Sequence, residues 1–344
     1  MKKIVAILLT TLLSASTIAQ KKDSIRNRYI QRFPDHFFIW PITKIRTTTF
    51  DIQNRNNSGE KLTYKPNNSV GLGFGMYVFE IGFELVFAVP IDEQKRSLFG
   101  ESKASDLQLN VLGKNWGVDL FTQRYEGFYR IDSRREVPAG QPYPQRPDLE
   151  VRNTGINGIY AFNKNKFSLR SSYNFSERQL KSGGSFVLSG TLNFFELRGD
   201  SAVYGNFYKP IFGTTSDFKQ VNSTTFSIAP GYSYNLVVAK RIFVNASFSI
   251  GPAQNWISYE TAIGTTNYQT LNTFADLRAG IGYNSQRFFM GASYVQQTRN
   301  ILFEEVRFTS SSGTFKILFG YRFKEWGFLK WRAADLLPKT GNKN

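Results

Sequence analysis

The chain runs to 344 residues with 43 Lys and Arg, 26 Asp and Glu, one His and no Cys. Disulfides, thiolate metal sites and cysteine nucleophiles are thereby excluded, while a formal net charge of +17 obliges nucleic acid to be weighed as a partner. Aromatics make up 16% of the chain, with 32 Phe and 17 Tyr beside 28 Gly, a mixture of strand and turn formers that argues against disorder.

Residues 1–19 read as a secretory signal peptide. Lys2 and Lys3 form the basic start, Ile4 to Leu13 the apolar run, and Thr17-Ile18-Ala19 the small-residue cleavage site. Losing the two lysines leaves 41 basic against 26 acidic residues, or +15. No later segment approaches 18 continuous apolar residues, so no transmembrane helix is expected. Without a cysteine there is no site for a lipid anchor, and export leaves a soluble periplasmic protein, a secreted protein or a β-barrel. The basic residues are scattered and form no recognisable binding module, so the expected partners do not include nucleic acid.

Residues 20–36 form an expected periplasmic N-terminal segment, and 37–324 repeat an alternation with period two. Val70, Leu72, Phe74, Met76 and Val78 oppose Gly71, Gly73 and Gly75; Leu107, Leu109 and Val111 oppose Asp106, Gln108 and Asn110. Phe167, Leu169, Tyr173 and Phe175 oppose Ser168, Arg170, Ser172 and Asn174. Ile242, Val244, Ala246, Phe248 and Ile250 oppose Asn245, Ser247, Ser249 and Gly251, with Phe243 the exception. Between 271 and 283, Asp276 and Arg278 share a polar face broken by Phe274; between 315 and 323, Lys316 and Arg322 share one broken by Leu318. Strands of about 9 to 11 residues suffice to cross a bilayer when tilted, their side chains alternating between lipid and lumen. The bland competitor is a soluble sandwich or periplasmic barrel, in which one strand face also packs inside.

Short links near 79–80, 113–115, 163–165, 240–241 and 284–285 alternate with longer ones near 53–68, 91–103, 133–148, 259–267 and 303–309, as a membrane meander requires. The pattern predicts strands over 38–52, 69–79, 81–90, 104–112, 116–131, 149–162, 166–178, 184–197, 222–237, 241–258, 268–283, 287–302 and 311–323. Both termini in the periplasm require one more crossing, and 202–212 is its only candidate despite Gly205 and Pro210. The expectation is an all-β, antiparallel, up-and-down transmembrane barrel of about 14 strands, with 12 or 16 as alternatives. Pro138, Pro142, Pro144 and Pro147 mark an extracellular loop, and 325–344 leave the pattern as a periplasmic tail whose Trp326, Phe328, Leu329 and Trp331 suit a membrane boundary.

On this register Glu84, Asp106, Asp119, Arg152, Arg170, Asp276, Arg278, Lys316 and Arg322 all point inward, because charges on the lipid face are costly. They read either as an ion-pair network stiffening the wall or as a cationic path that favours anions. The single histidine, His36, falls at the periplasmic rim, the wrong end for the base of a surface hydrolase. No catalytic residue, metal site or cofactor is expected. Asp23-Ser24-Ile25 and Asp200-Ser201-Ala202 match a short O-glycan acceptor motif, making Ser24 and Ser201 candidate acceptors, both on the periplasmic side of the expected topology. Arg198-Gly199-Asp200 is read as a turn on that same side.

The chain resembles a Bacteroidota outer-membrane β-barrel family known only as domain of unknown function 4421. The resemblance rests on Tyr64-Lys65-Pro66-Asn67 before Gly71 to Gly75, Gly184-Ser185, Asp200-Ser201, Gly231-Tyr232 and the closing Gly320-Tyr321-Arg322-Phe323. It implies an exported barrel in the bacterial outer membrane and supplies no activity. Three functions compete: a non-enzymatic scaffold or accessory subunit of a cell-envelope assembly, a narrow channel for small polar or anionic solutes, and a membrane-embedded hydrolase. The expected partners are outer-membrane lipid and lipopolysaccharide, whose phosphates suit rim charges such as Lys95, Arg96, Arg134 and Arg135, and envelope proteins reached through extracellular loops or the C-terminal tail.

Overall fold

A computed structural model describes residues 24–327 apart from 69, 79–80, 214–217, 262–263 and 304. The expected signal peptide and all but the first residues of the expected tail lie outside the described residues. Helix α1 (Ser24–Tyr29) leads into β1 (Ile30–Arg32) and the first wall strand, β2 (His36–Asn54). Then come β3 (Lys61–Lys65), β4 (Gly71–Val78), β5 (Ile81–Ala88), helix α2 (Glu93–Phe99), β6 (Lys103–Leu112), β7 (Trp116–Asp132) and β8 (Gln145–Ala161). Helix α3 (Leu169–Tyr173) and β9 (Glu177–Gln179) precede β10 (Gly183–Arg198), and a 3-10 turn (Asn206–Tyr208) with α4 (Lys209–Phe212) precedes β11 (Phe218–Val238). Strands β12 (Ile242–Thr261), β13 (Gly264–Asn284), β14 (Phe288–Phe303) and β15 (Val306–Lys324) complete the wall.

Antiparallel pairing runs β15-β14-β13-β12-β11-β10-β8-β7-β3-β2, and β15 pairs back onto β2, so ten strands close a hydrogen-bonded ring. Three more extend the same sheet: β4 on the first half of β2, β5 on β4, and β6 on β7. The rim carrying His36 opposite Lys324 is called the lower rim, and the one carrying Asn54 opposite Val306 the upper rim. No described helix is long and apolar enough to cross a membrane.

Alternation decides which side of the wall each residue faces. On β12, Phe248 is 49% exposed on the outer face while its neighbour Ser249, at 1%, is buried inside. The outer apolar series on β12 runs from Ile242 to Pro252, and ten residues at about 3.3 Å each, tilted by about 40°, span about 25 Å, the height of a membrane-facing band. The three exceptions to the alternation, Phe243, Phe274 and Leu318, all lie buried on the inner face. Glycine serves close approach there: a Cβ on Gly75 would stand 2.1 Å from the Trp40 ring, and one on Gly320 2.1 Å from Phe289.

Twelve of the fourteen expected spans are strands. The span 166–178 is instead part of an insertion, 162–182, folded into the lower lumen, and 202–212 is a cap folded into the upper mouth. Both had the aromatic content of a strand, but Phe167, Phe175, Tyr204, Tyr208 and Phe212 are buried against the inside of the wall. Residues 202–212 therefore add no upward crossing, and the expected strand count near 14 is too high for this ring. Lys61–Lys65, read as loop, is a strand. The alternation of short and long links also fails: only two residues separate β12 from β13 and β14 from β15 at the upper rim, while the long insertion lies at the lower rim.

Strand β3 alone joins the two halves of the ring where β2 would otherwise face β7, pairing Phe50–Gln53 on one side and Tyr129–Asp132 on the other. Below it, β5 and β6 pass close to each other, yet among the described residues neither has a ladder partner on its second edge. An unpaired strand edge is expensive within hydrocarbon. Hydrogen–deuterium exchange on the detergent-solubilised protein should accordingly deuterate amides of 82–88 and 104–111 well before those of 244–250. Equal protection would mean that the two edges are paired with each other.

Candidate functional site

The interior of the barrel is the candidate site, and it is filled in layers. At the lower rim α1, β1 and the 162–182 insertion form a plug, with β1 and β9 paired as a small separate sheet. Arg26 of α1 meets Glu177 of β9 at 2.6 Å, both almost wholly buried, and the Ser168 hydroxyl donates to the same carboxylate at 2.5 Å. The plug seats on aromatic rings of the wall: Phe175 stacks on Phe289 with ring centres 5.2 Å apart and meets Phe243 edge-on at 5.6 Å.

Arg322 of β15 sits at the centre of this seat. Its guanidinium lies 4.0 Å from the Phe33 ring centre, 4.7 Å from that of Phe289 and 4.9 Å from that of Phe38. It donates to the Phe175 carbonyl at 2.5 Å, the Asn284 side-chain oxygen at 2.7 Å and the Ser285 carbonyl at 2.7 Å. A cation held by ring faces and neutral oxygens needs no carboxylate partner. Arg170 of α3 donates to the carbonyls of Leu112 and Gly113, tying the plug to the turn after β6.

Above the plug lies a charged layer. Glu84 of β5 bridges Lys44 of β2 and Lys316 of β15, the latter at 3.1 Å. Asp106 of β6 pairs with Arg46 of β2 at 2.7 Å and accepts from Gln123 at 2.9 Å. Arg278 of β13 spans the interior from its own neighbour Asp276, at 3.0 Å, to Asp119 of β7, at 3.5 Å, with its guanidinium 5.5 Å from the Tyr173 ring of the plug. A row of amides follows, in which Asn193 donates to Asn153 at 2.5 Å and Asn153 to Gln123 at 2.9 Å. The buried Arg299 bonds Thr191 and Gln297.

The upper mouth is closed by an apolar cluster. Val203, Tyr204, Tyr208 and Phe212 of the cap pack on Phe50, Tyr64, Phe128, Leu197, Phe218 and Phe308 of the wall. The Tyr64 hydroxyl donates to the Val203 carbonyl at 2.8 Å, and Tyr208 to Asp132 at 2.9 Å. Burial raises the pKa of the Tyr208 hydroxyl above its ordinary value.

Of the nine expected inward charges, Glu84, Asp106, Asp119, Asp276, Arg278, Lys316 and Arg322 lie inside on wall strands, and Arg170 lies inside on the plug helix instead of a strand. Arg152 does not. It shares the outer face of the wall with Glu150, which receives Arg124 and Arg198 at 3.0 Å each in addition to Arg152. This stretch lies above the apolar band, where an outward charge meets water and costs little, so the rule that sent Arg152 inward does not reach it. Ser24 opens α1 beside the lower rim, while Ser201 lies at the upper rim, where its hydroxyl accepts from Arg146 at 3.1 Å. The two candidate glycan acceptors therefore sit at opposite ends, and the Arg198-Gly199-Asp200 turn is at the upper end too. His36 borders a crevice with Ser176 and Glu325, but at about 20 Å³ it holds little more than a water.

The sequence reading missed Lys44, Arg46, Arg26 and Glu177. Lys44 and Arg46 share a face with the apolar Ile42 and alternate with Thr43 and Ile45, a mixed pattern that hides them, and Arg26 with Glu177 lay in segments read as a periplasmic N-terminal segment and a wall strand. The described residues include no group of three or more His, Asp or Glu side chains placed to hold a metal.

The family model described as domain of unknown function (DUF4421) matches residues 21–323. The chain belongs to this family. No curated protein matches the DUF4421 chain. Solved structures similar to it include the translocator domain of the autotransporter NalP from Neisseria meningitidis, at 8% identity and TM-score 0.35, covering 94% of this chain and 96% of that one. The β domain of the Bordetella autotransporter BrkA is 11% identical with TM-score 0.33, covering 85% and 100%. The outer membrane protein OprG from Pseudomonas aeruginosa is 11% identical with TM-score 0.23, covering 86% and 98%. These superpositions are too loose to carry an argument, and the reading of the DUF4421 barrel rests on its own ladder and burial.

The buried Arg26–Glu177 pair gives a direct test of plug seating. Glu177→Ala strands a buried guanidinium and should destabilise the plug by about 3–5 kcal/mol, lowering the temperature at which the barrel loses its compact gel migration. The double variant Arg26→Met, Glu177→Leu should recover most of that loss; no change in either variant would show the pair to be idle.

Proposed function

We propose that this protein is a non-conducting barrel of the bacterial outer membrane that acts as a scaffold or accessory subunit of a cell-envelope assembly. The observation that carries the reading is the double closure of the interior: the plug seated on Phe243, Phe289 and Arg322 below, and the cap built on Val203, Tyr204, Tyr208 and Phe212 above. A channel needs a continuous wet path with sites weak enough to release the solute. Here the charged layer between the closures is consumed in internal pairs, with Glu84 shared by two lysines and Arg278 by two aspartates. The membrane placement is supported by the outer apolar face of β10 to β15, where Phe186, Ile228, Leu236, Val244, Phe248, Ile281, Ile317 and Phe319 are exposed.

A partner of such a barrel binds at its ends. The upper links, including α2 with the Phe99, Tyr129 and Tyr143 ring cluster, offer a firm surface. In planar bilayers the purified full chain is expected to be electrically silent. Variants lacking either 164–182 or 200–213 should remain silent, because the other closure persists, and the variant lacking both should conduct. Steady unitary conductance from the unaltered chain would overturn the scaffold reading in favour of the channel.

A further inference from the structure

The outer face of the wall carries a groove of about 640 Å³ near the upper rim, across β8, β10, β11, β12 and β13. Its floor is two cross-strand rows of outward side chains fixed by the ladder. One row is Thr154, Phe194, Thr224, Trp256 and Gln269; the next above it is Arg152, Glu196, Asn222, Ser258 and Asn267. Trp256 and Phe194 are 43% and 51% exposed, so ring faces stand open to whatever fills the groove.

The geometry points to a site for the uncharged sugar headgroup of an outer-leaflet glycolipid. Four features of the groove select that chemistry. Open aromatic faces are stacking platforms for the apolar faces of pyranose rings. Around them stand amides and hydroxyls, Asn222, Asn267, Gln269, Thr154, Thr224 and Ser258, which both donate and accept as a polyol requires. The fixed charge balances, because the lining holds one cation, Arg152, and one anion, Glu196, and Arg152 already contacts Glu150. A phosphate would find no surplus positive charge here, which separates this groove from the rim lysines and arginines that suit anionic lipids. Finally, the row immediately below is Ile156, Leu192, Phe226, Gln254 and Leu271, with Leu192, Phe226 and Leu271 exposed. A ligand in the groove has a polar head at the level of the sugars and an apolar continuation along the wall, which describes a membrane amphiphile and not a free oligosaccharide.

This inference rests on the membrane placement proposed above, and the test keeps the two apart. The full chain, folded in detergent micelles, is exposed to a dihexosyl diacylglycerol, to phosphatidylglycerol or to the free hexose disaccharide, and retained ligand is read by native mass spectrometry. Selective retention of the glycolipid is expected, weakened about tenfold by Trp256→Ala, the loss of one stacking platform, and also by Asn222→Ala. Compact gel migration of both variants shows that the barrel is intact, so reduced retention is assigned to the groove. Equal retention of phosphatidylglycerol, equal retention of the free disaccharide, or retention unaffected by Trp256→Ala would each overturn the site while leaving the membrane placement standing. A chain that stays monodisperse in water without detergent would remove the membrane placement itself.

Discussion

A β-strand in hydrocarbon has to hand its backbone donors and acceptors to neighbouring strands, and only a sheet that closes on itself leaves none unpaired. In this molecule that demand shapes the wall from β7 round to β2, and among the described residues it goes unmet at the second edges of β5 and β6. Because β15 returns to β2 through a ladder running from Asn54 to His36, each strand has two fixed faces. The outer face is then left to Leu, Ile, Val, Phe and Tyr, and the inner face becomes the only place in the band where charge can be kept. The closure is weakest where β3 carries it alone, and the two edges below β3 are lined by Glu84 on one side and Asp106 on the other. Both acids reach back to β2, through Lys44 and Arg46, so ion pairs do part of the work that a ladder does elsewhere.

The filled interior follows from size as much as from chemistry. A ring of this circumference encloses more space than wall side chains alone can occupy, and buried polar groups without partners are costly. The chain supplies the missing material from two of its own links, 162–182 and 199–213. The lower one enters with Ser168, Ser171, Ser172 and Tyr173, which bond Asn235 and Asn245 of the wall. The upper one enters with rings. The inner wall matches each: amides and hydroxyls face the polar part of the plug, while Phe50, Tyr64 and Phe308 face the cap.

The wall was largely legible in the sequence, because alternation over ten or more residues admits one strand register and a slip of one would turn every side chain to the wrong side. The same alternation placed Glu84, Asp276, Arg278 and Lys316 inside without any knowledge of their partners. What alternation cannot distinguish is an aromatic that faces lipid from one that faces a plug. Phe167, Leu169, Tyr173 and Phe175 therefore read as wall, as did Tyr204 and Tyr208. The clue was present in the exceptions: Phe243, Phe274 and Leu318 interrupt polar faces because something apolar covers Phe243 and Leu318 at the plug, and Arg299 lies over Phe274. Arg152 was misplaced for a different reason, since β8 continues beyond the apolar band and the penalty for outward charge ends where the band does.

The central claim, opposite faces of one closed sheet in two different solvents, is most directly tested by single-cysteine scanning of 242–252, which the absence of native cysteine makes clean. With a fluorophore at each position in membranes, a nitroxide confined to the lipid chains should quench 244, 246, 248 and 250 and spare 243, 245, 247 and 249. Quenching that does not alternate, or water-soluble quenchers reaching 244 to 250 freely, would contradict the account.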